Sequence, residues 1–250
     1  MTKDKARLLL LGTAGGASGG GGSSPDPDKQ AASLVLYCQG GGRRDATKIV
    51  AKQGGSTKPT DLSYVFAFCE SATQFDLSGL DLSVVTKIKG IFQNCAGLTA
   101  GVLPAVEVEG LQEVFNNCAN LTSADFTAVS AKEGSNFQLT NALYNCRKLV
   151  SVDLSGLDMS QSTDAGYMFN NCQKLENVIT DAGTKFPDVN LNTAFSGCSA
   201  LTEQAMVNIF NALPTTENSR TISFVATALA RLTAADKAIA ENKGWTVAQR

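Results

Sequence analysis

Six copies of one short phrase recur along this chain: an apolar residue three positions before a cysteine, and a leucine three positions after it in five of the six. They run Phe66–Cys69–Ala72, Phe92–Cys95–Leu98, Phe115–Cys118–Leu121, Leu143–Cys146–Leu149, Phe169–Cys172–Leu175 and Phe195–Cys198–Leu201. The intervals between the cysteines are 26, 23, 28, 26 and 26 residues. A unit of this size cannot bury an apolar face alone, so self-similarity at this period predicts stacked units that share one core. The expected fold class is therefore an α/β solenoid of about six turns with short parallel strands and a cap at each end.

Each phrase runs into a second pattern. Leu149-x-x-Val152-x-Leu154 is matched by Ala72-x-x-Phe75-x-Leu77 and Leu121-x-x-Ala124-x-Phe126, the strand signature of a leucine-rich repeat. Side chains alternate across a strand, so these apolar positions point inward and the residues between them face solvent. Ser78-Gly-Leu-Asp-Leu-Ser83 and Ser155-Gly-Leu-Asp-Met-Ser160 follow as polar turns that each send one more leucine inward, Leu80 and Leu157. The segments around Ile88, Ile91 and Phe92, and around Tyr167, Met168 and Phe169, return the chain as a short helix or an irregular turn. Asn94, Asn117, Asn145 and Asn171 precede their cysteines directly, where stacked amides can bond from turn to turn.

Evenly placed thiols invite talk of metals or bridges. Yet seven cysteines is an odd number, no C-x-x-C occurs, and six of the seven keep the repeat register. Cys69, Cys95, Cys118, Cys146, Cys172 and Cys198 are read as core positions, because a reduced cysteine packs as a small hydrophobe. Strands in neighbouring turns lie about 4.8 Å apart, so a few disulfides are the competing reading. Cys38 stands outside the register and is expected to fill the N-terminal cap.

The chain divides into residues 1–30, 31–60, 61–201 and 202–250. Residues 1–30 are expected to form an arm with a flexible tether, since Ala14 to Asp28 is almost all Gly, Ala, Ser, Pro and Asp. Ser33–Cys38 and Thr47–Ala51 read as two short strands, or a strand and a turn, in an N-terminal cap over residues 31–60. The repeats occupy 61–201. A C-terminal cap over 202–250 holds a helix from Thr202 to Leu213 stopped by Pro214, a strand Thr221–Val225, and a capping box at Thr233 and Asp236 that opens a helix ending near Gly244. Trp245 and Val247 supply apolar anchors after it.

A net charge of -2, with no basic cluster larger than a pair such as Arg43-Arg44, leaves no footprint for a phosphate backbone, so nucleic acid is not an expected partner. Leu8–Leu11 is far shorter than the roughly 20 apolar residues of a membrane span. Lys3, Lys5 and Arg7 before those leucines imitate a signal peptide, but the apolar stretch falls below the roughly 7 to 15 residues one needs. The expectation is an uncleaved arm.

Tyr167-Met-Phe-Asn-Asn-Cys-Gln-Lys-Leu175 and Val152-Asp-Leu-Ser-Gly-Leu-Asp158 resemble the BspA-like leucine-rich repeats, including those of mycoplasma surface lipoproteins. The resemblance covers residues 60 to 202, and Lys243-Gly-Trp-Thr-Val247 looks like the end segment of similar bacterial and phage proteins. It implies a surface adhesin or host-binding protein, or a phage structural protein carrying similar repeats. The expected function is a non-enzymatic virion component (tail, fibre or capsid decoration) assembled in the cytoplasm, docked through its N-terminal arm and presenting the repeats to a host. The alternative is a bacterial cell-surface adhesin.

Chemistry is less well provided for. The chain has no histidine, which removes Ser-His-Asp and Cys-His nucleophilic sites and the commonest transition-metal ligand. Asp76 with Asp81, or Asp153 with Asp158, supplies the two carboxylates of a polysaccharide depolymerase, but both pairs sit in the repeated turn, where Asp commonly bonds local backbone. No cofactor or metal is expected; calcium at the aspartates has no loop motif behind it. The candidate binding face is instead the solvent side of the strands, a concave surface for a protein or glycan partner. Its columns are Thr73, Thr99, Thr122, Val150 and Glu176; Gln74, Ala100, Ser123, Ser151 and Asn177; and Asp76, Asp125 and Asp153. The competing reading is that these are merely solvated strand positions.

Overall fold

The structure, a computed structural model, describes residues 7–10, 34–56 and 58–250. The chain is strand-rich, with short strands in small sheets and few helices. β1 (Arg7–Leu10), β2 (Leu34–Gln39), β3 (Lys48–Gln53) and β4 (Gln74–Gly79) form one sheet in that order, antiparallel up to β3 and parallel between β3 and β4. The expected arm thus contains a paired strand, while the Gly-rich stretch 14–28 lies outside the described residues. β5 (Ala100–Val102), β6 (Val106–Val108), β7 (Ser123–Asp125), β8 (Val129–Ala131), β9 (Ser151–Asp153) and β10 (Asn177–Ile179) come from successive units. Four of them make a parallel sheet in the order β10-β9-β7-β5, and β6 pairs with β8 in a second column that the repeat pattern did not foreshadow.

One apolar core runs through all the units. Phe66, Phe92 and Phe115 stack nearly parallel, with ring centroids 5.6 and 5.5 Å apart, and Phe169 stacks on Phe195 at 5.1 Å. The register positions of the cysteines are buried beside them, and each thiol from Cys95 onward donates to a backbone carbonyl of the preceding unit. Cys95, Cys118, Cys146, Cys172 and Cys198 bond the carbonyls of Phe66, Phe92, Phe115, Leu143 and Phe169, each at 3.1 Å. A methylene-sized side chain with a weak donor fits where a larger one would push two units apart. All seven cysteines are reduced and buried.

The return segments are neither helices nor irregular. Each is a run of tandem turns in which alternate residues donate to the next unit: Leu111, Glu113, Phe115 and Asn117 bond the carbonyls of Gln138, Thr140, Ala142 and Tyr144 at 2.7 to 3.1 Å. The residues between donate locally, Val114 to Leu111 and Asn116 to Glu113. This alternation requires a left-handed residue five before and one before the cysteine, and Tyr64, Glu113, Asn141 and Tyr167 fill the first position with φ of 57 to 60°. Asn94, Asn117, Asn145 and Asn171 fill the second with φ of 59 to 64°, since asparagine tolerates this region better than most residues. Their amides also link: Asn145 Nδ2 donates to Asn117 Oδ1 and Asn171 Nδ2 to Asn145 Oδ1, both at 2.7 Å. Asn145→Val, a β-branched residue in that region, is expected to cost about 1–3 kcal/mol in chemical denaturation, with Asn145→Gly costing less.

The end of the chain closes the last unit. α1 (Glu203–Ala212) is capped by Thr202 and packs beside β10; β11 (Arg220–Phe224) pairs in parallel with β12 (Trp245–Gln249), with α2 (Ala226–Leu229) and α3 (Ala234–Glu241) between them. The Thr233–Asp236 capping box opens α3 as expected. Lys243, Gly244 and Trp245 act together at the end of α1. Lys243 Nζ donates to the carbonyls of Phe210, Asn211 and Leu213 at 3.0, 2.7 and 2.8 Å, and the Trp245 indole N–H donates to Pro214 at 2.8 Å. Gly244 has φ +87° and lies against the Thr216 carbonyl, leaving no room for a Cβ. Lys243→Met is expected to lower stability by about 2–3 kcal/mol, read by thermal melts, because three helix-end carbonyls lose a cationic donor.

Candidate binding face

The strand sheet places most of the foreseen columns together. Ser123 lies opposite Ser151, and Asp125 opposite Asp153, on β7 and β9; Asn177 follows Ser151 on β10, and Ala100 precedes Ser123 on β5. Thr99, Thr122, Val150 and Glu176 form the column beside them, joined by backbone bonds from Thr122 to Thr99, Val150 to Thr122 and Glu176 to Val150 at 2.8 to 2.9 Å. The aspartates do not face one another as free carboxylates. Asp76, Asp125 and Asp153 each accept the backbone N–H two residues on, from Ser78, Thr127 and Ser155, at 2.9 to 3.0 Å. Asp81 and Asp158 do the same with Ser83 and Ser160, and each also meets a lysine, Lys58 and Lys185, at 2.6 Å. These bonds hold Asp81 at about 2 and pull Asp76 and Asp158 below the usual carboxylate range, so each is a stable anion at neutral pH.

Thr73, Gln74 and Asp76 stand apart from the other columns. β4 belongs to the first sheet and β5 to the second, and no β4–β5 pairing exists among the described residues. Thr73 bonds back to Thr47, but the link from Thr99 to Thr73 that would continue the series is missing. The two units still touch lower down: a Cβ on Gly97 would lie 2.8 Å from the Ser71 backbone. From there they splay around a cleft of about 410 Å³, walled by Thr73 to Leu77 and Ala100 to Val102, with Phe92, Leu98 and Phe115 among its lining and Lys48 at its edge. Phe75, Leu77 and Leu80, expected inside, are only half-buried.

The cause lies in two substitutions within the repeat. Where later strands carry Ala124, Val152 and Val178, the first carries Phe75 and the second Gly101. The Phe75 ring lies 4.8 Å from Phe92, and Phe115 fills the space over Gly101, where a Cβ would stand 2.7 Å from the ring. A bulky ring on one strand and none on the next hold the two apart. The cleft residues Phe75, Leu77, Gly101 and Val102 were missed as a site, although the Phe and Gly at a position otherwise held by small aliphatics were the signal.

Among the described residues, no group of three or more His, Cys, Asp or Glu is placed to hold a metal. None of the helices there is long and apolar enough to cross a membrane. The sequence pattern of the Mycoplasma proteins of unknown function, DUF285, matches residues 60–182 and again 104–209. The chain belongs to the DUF285 family. The matched stretch of this DUF285 protein contains all six cysteine phrases and the strands β4 to β10. No curated protein and no solved structure shows a significant match to it.

Proposed function

We propose that this DUF285 protein is a non-enzymatic binding or structural protein, a BspA-like leucine-rich-repeat solenoid that presents its strand face to a protein or glycan partner. The observation that supports this reading best is that every aspartate on or beside that face is committed to its own turn, which leaves a polar docking surface without a free acid–base pair. The setting we favour is a phage virion, as a tail, fibre or capsid decoration used for host or partner attachment, with the N-terminal arm docked on the particle. Resemblance to repeats on phage structural proteins supports that setting. The second reading, a bacterial cell-surface adhesin, is favoured by the Mycoplasma description of the family.

Mass spectrometry of purified virions against protease shaving of intact cells separates the two. Recovery of the protein in virions supports the first and its release from the cell surface the second, and absence from both overturns the proposal. The depolymerase alternative makes its own demand: incubation with host polysaccharide should release reducing sugar, and Asp76→Asn or Asp153→Asn should abolish the release. We expect no release from the unmodified protein, and both variants to fold.

A further inference from the structure

We propose that the cleft between β4 and β5 is a docking site for an extended, uncharged peptide with aliphatic side chains at alternate positions, which enters as an added strand. It rests on the reading of this face as a binding surface and names the chemistry of the partner. β4 is the last strand of one sheet and β5 the last strand of the next, so each presents an edge with no strand partner at the cleft, apart from the Ser78 N–H, which Asp76 takes, and the Leu77 carbonyl, which Leu80 takes. Such edges are templates for main-chain pairing, and an extended peptide is the ligand that satisfies a strand edge. The other end of the second sheet offers no such edge: β10 is covered by α1, with Thr202 bonding the Glu176 carbonyl and Asn208 Nδ2 the Val178 carbonyl.

The lining sets the side chains. Phe92, Phe115 and Leu98 are apolar, Phe75 and Leu77 are half-buried on one wall, and Val102 on the other is 66% exposed, the most exposed large hydrophobic residue of the described chain. Phe92, Phe115 and Leu98 are already buried beneath the cleft, and an occupant that alternates aliphatic and small polar residues would cover Phe75, Leu77 and Val102 while leaving its other face in water. The charged groups at the cleft are one lysine, Lys48, and one aspartate, Asp76, which cancel and favour a neutral segment over an acidic or basic one. A volume of about 410 Å³ lies in the range of roughly 300–1,000 Å³ typical of ligand sites.

The probe is a capped peptide of residues 149–154 carrying Asp153→Ser, a neutral copy of the strand that β7 and β10 already flank. It is added to the full-length protein and followed by hydrogen exchange and by titration. We expect saturable binding, new protection at the amides of Gln74–Gly79 and Ala100–Val102, and a loss of about tenfold or more when alternate peptide nitrogens are methylated. Unchanged affinity on N-methylation, protection confined to other elements, or no binding at millimolar peptide would overturn the proposal. Those outcomes leave the virion and cell-surface tests untouched, so the two readings fail separately.

Discussion

Raising the pH from about 8 to about 10 is expected to remove several kcal/mol of folding free energy, through the thiols alone. Burial without a compensating cation pushes Cys118 and Cys198 up to about 12 from 9.0, and Cys95, Cys146 and Cys172 well above it. Cys69, at the end of the row, goes the other way, because the neighbouring Cys95 thiol and the Arg43 guanidinium favour its thiolate. For these raised thiols, and for Cys38, which burial also pushes up, the native state keeps its protons while the unfolded chain loses them above about pH 9. Their contribution is therefore complete below pH 9 and lost as the pH climbs toward the native values. Each raised thiol costs on the order of 1 kcal/mol per pH unit once its unfolded counterpart ionises, so the row together weakens the fold markedly by about pH 10. Denaturant midpoints measured every half unit from pH 7 to 10 read this directly. Cys118→Ala and Cys172→Ala should each flatten the slope by about 1.4 kcal/mol per pH unit, which separates the thiols from lysine and tyrosine titration.

The second large effect is expected at Phe115. Phe115→Ala should cost about 3–5 kcal/mol, because the ring is fully buried between Phe92 and Phe126 and covers Gly101. Phe75→Ala, which removes the same ring from a half-buried site, should cost clearly less. Equilibrium urea unfolding of both variants supplies the comparison. Equal costs would mean that the cleft closes in solution and Phe75 is as buried as its counterparts.

Much of this fold was legible because burial leaves a period. The apolar phrase and the inward positions Leu149, Val152 and Leu154 placed a short strand around Val152, where β9 is centred, and Pro214 marked the stop of α1, whose last helical residue is Ala212. Caps were readable for the same local reason, Thr233 and Asp236 being the pair that satisfies two end amides. The tandem turns were not readable, since their left-handed positions carry Tyr64, Glu113 and Tyr167, residues with no preference for that region, held there by bonds to the next unit. The Asn column was foreseen as an amide ladder, and its backbone role was not. The split of the candidate face escaped because Phe75 satisfies the apolar pattern as well as valine does. Pattern records that a position faces inward; it does not record that a ring there spreads the strands.

The central claim is that the cysteine phrases are core markers of stacked units and carry no chemistry of their own. Alkylation of the native protein with iodoacetamide, counted by intact mass before and after unfolding without reductant, tests it most directly. The account predicts no label on the native chain and seven labels on the unfolded one. Rapid native labelling at any of Cys95 to Cys198, or fewer than seven labels after unfolding, would contradict it by placing thiols at the surface or in disulfides.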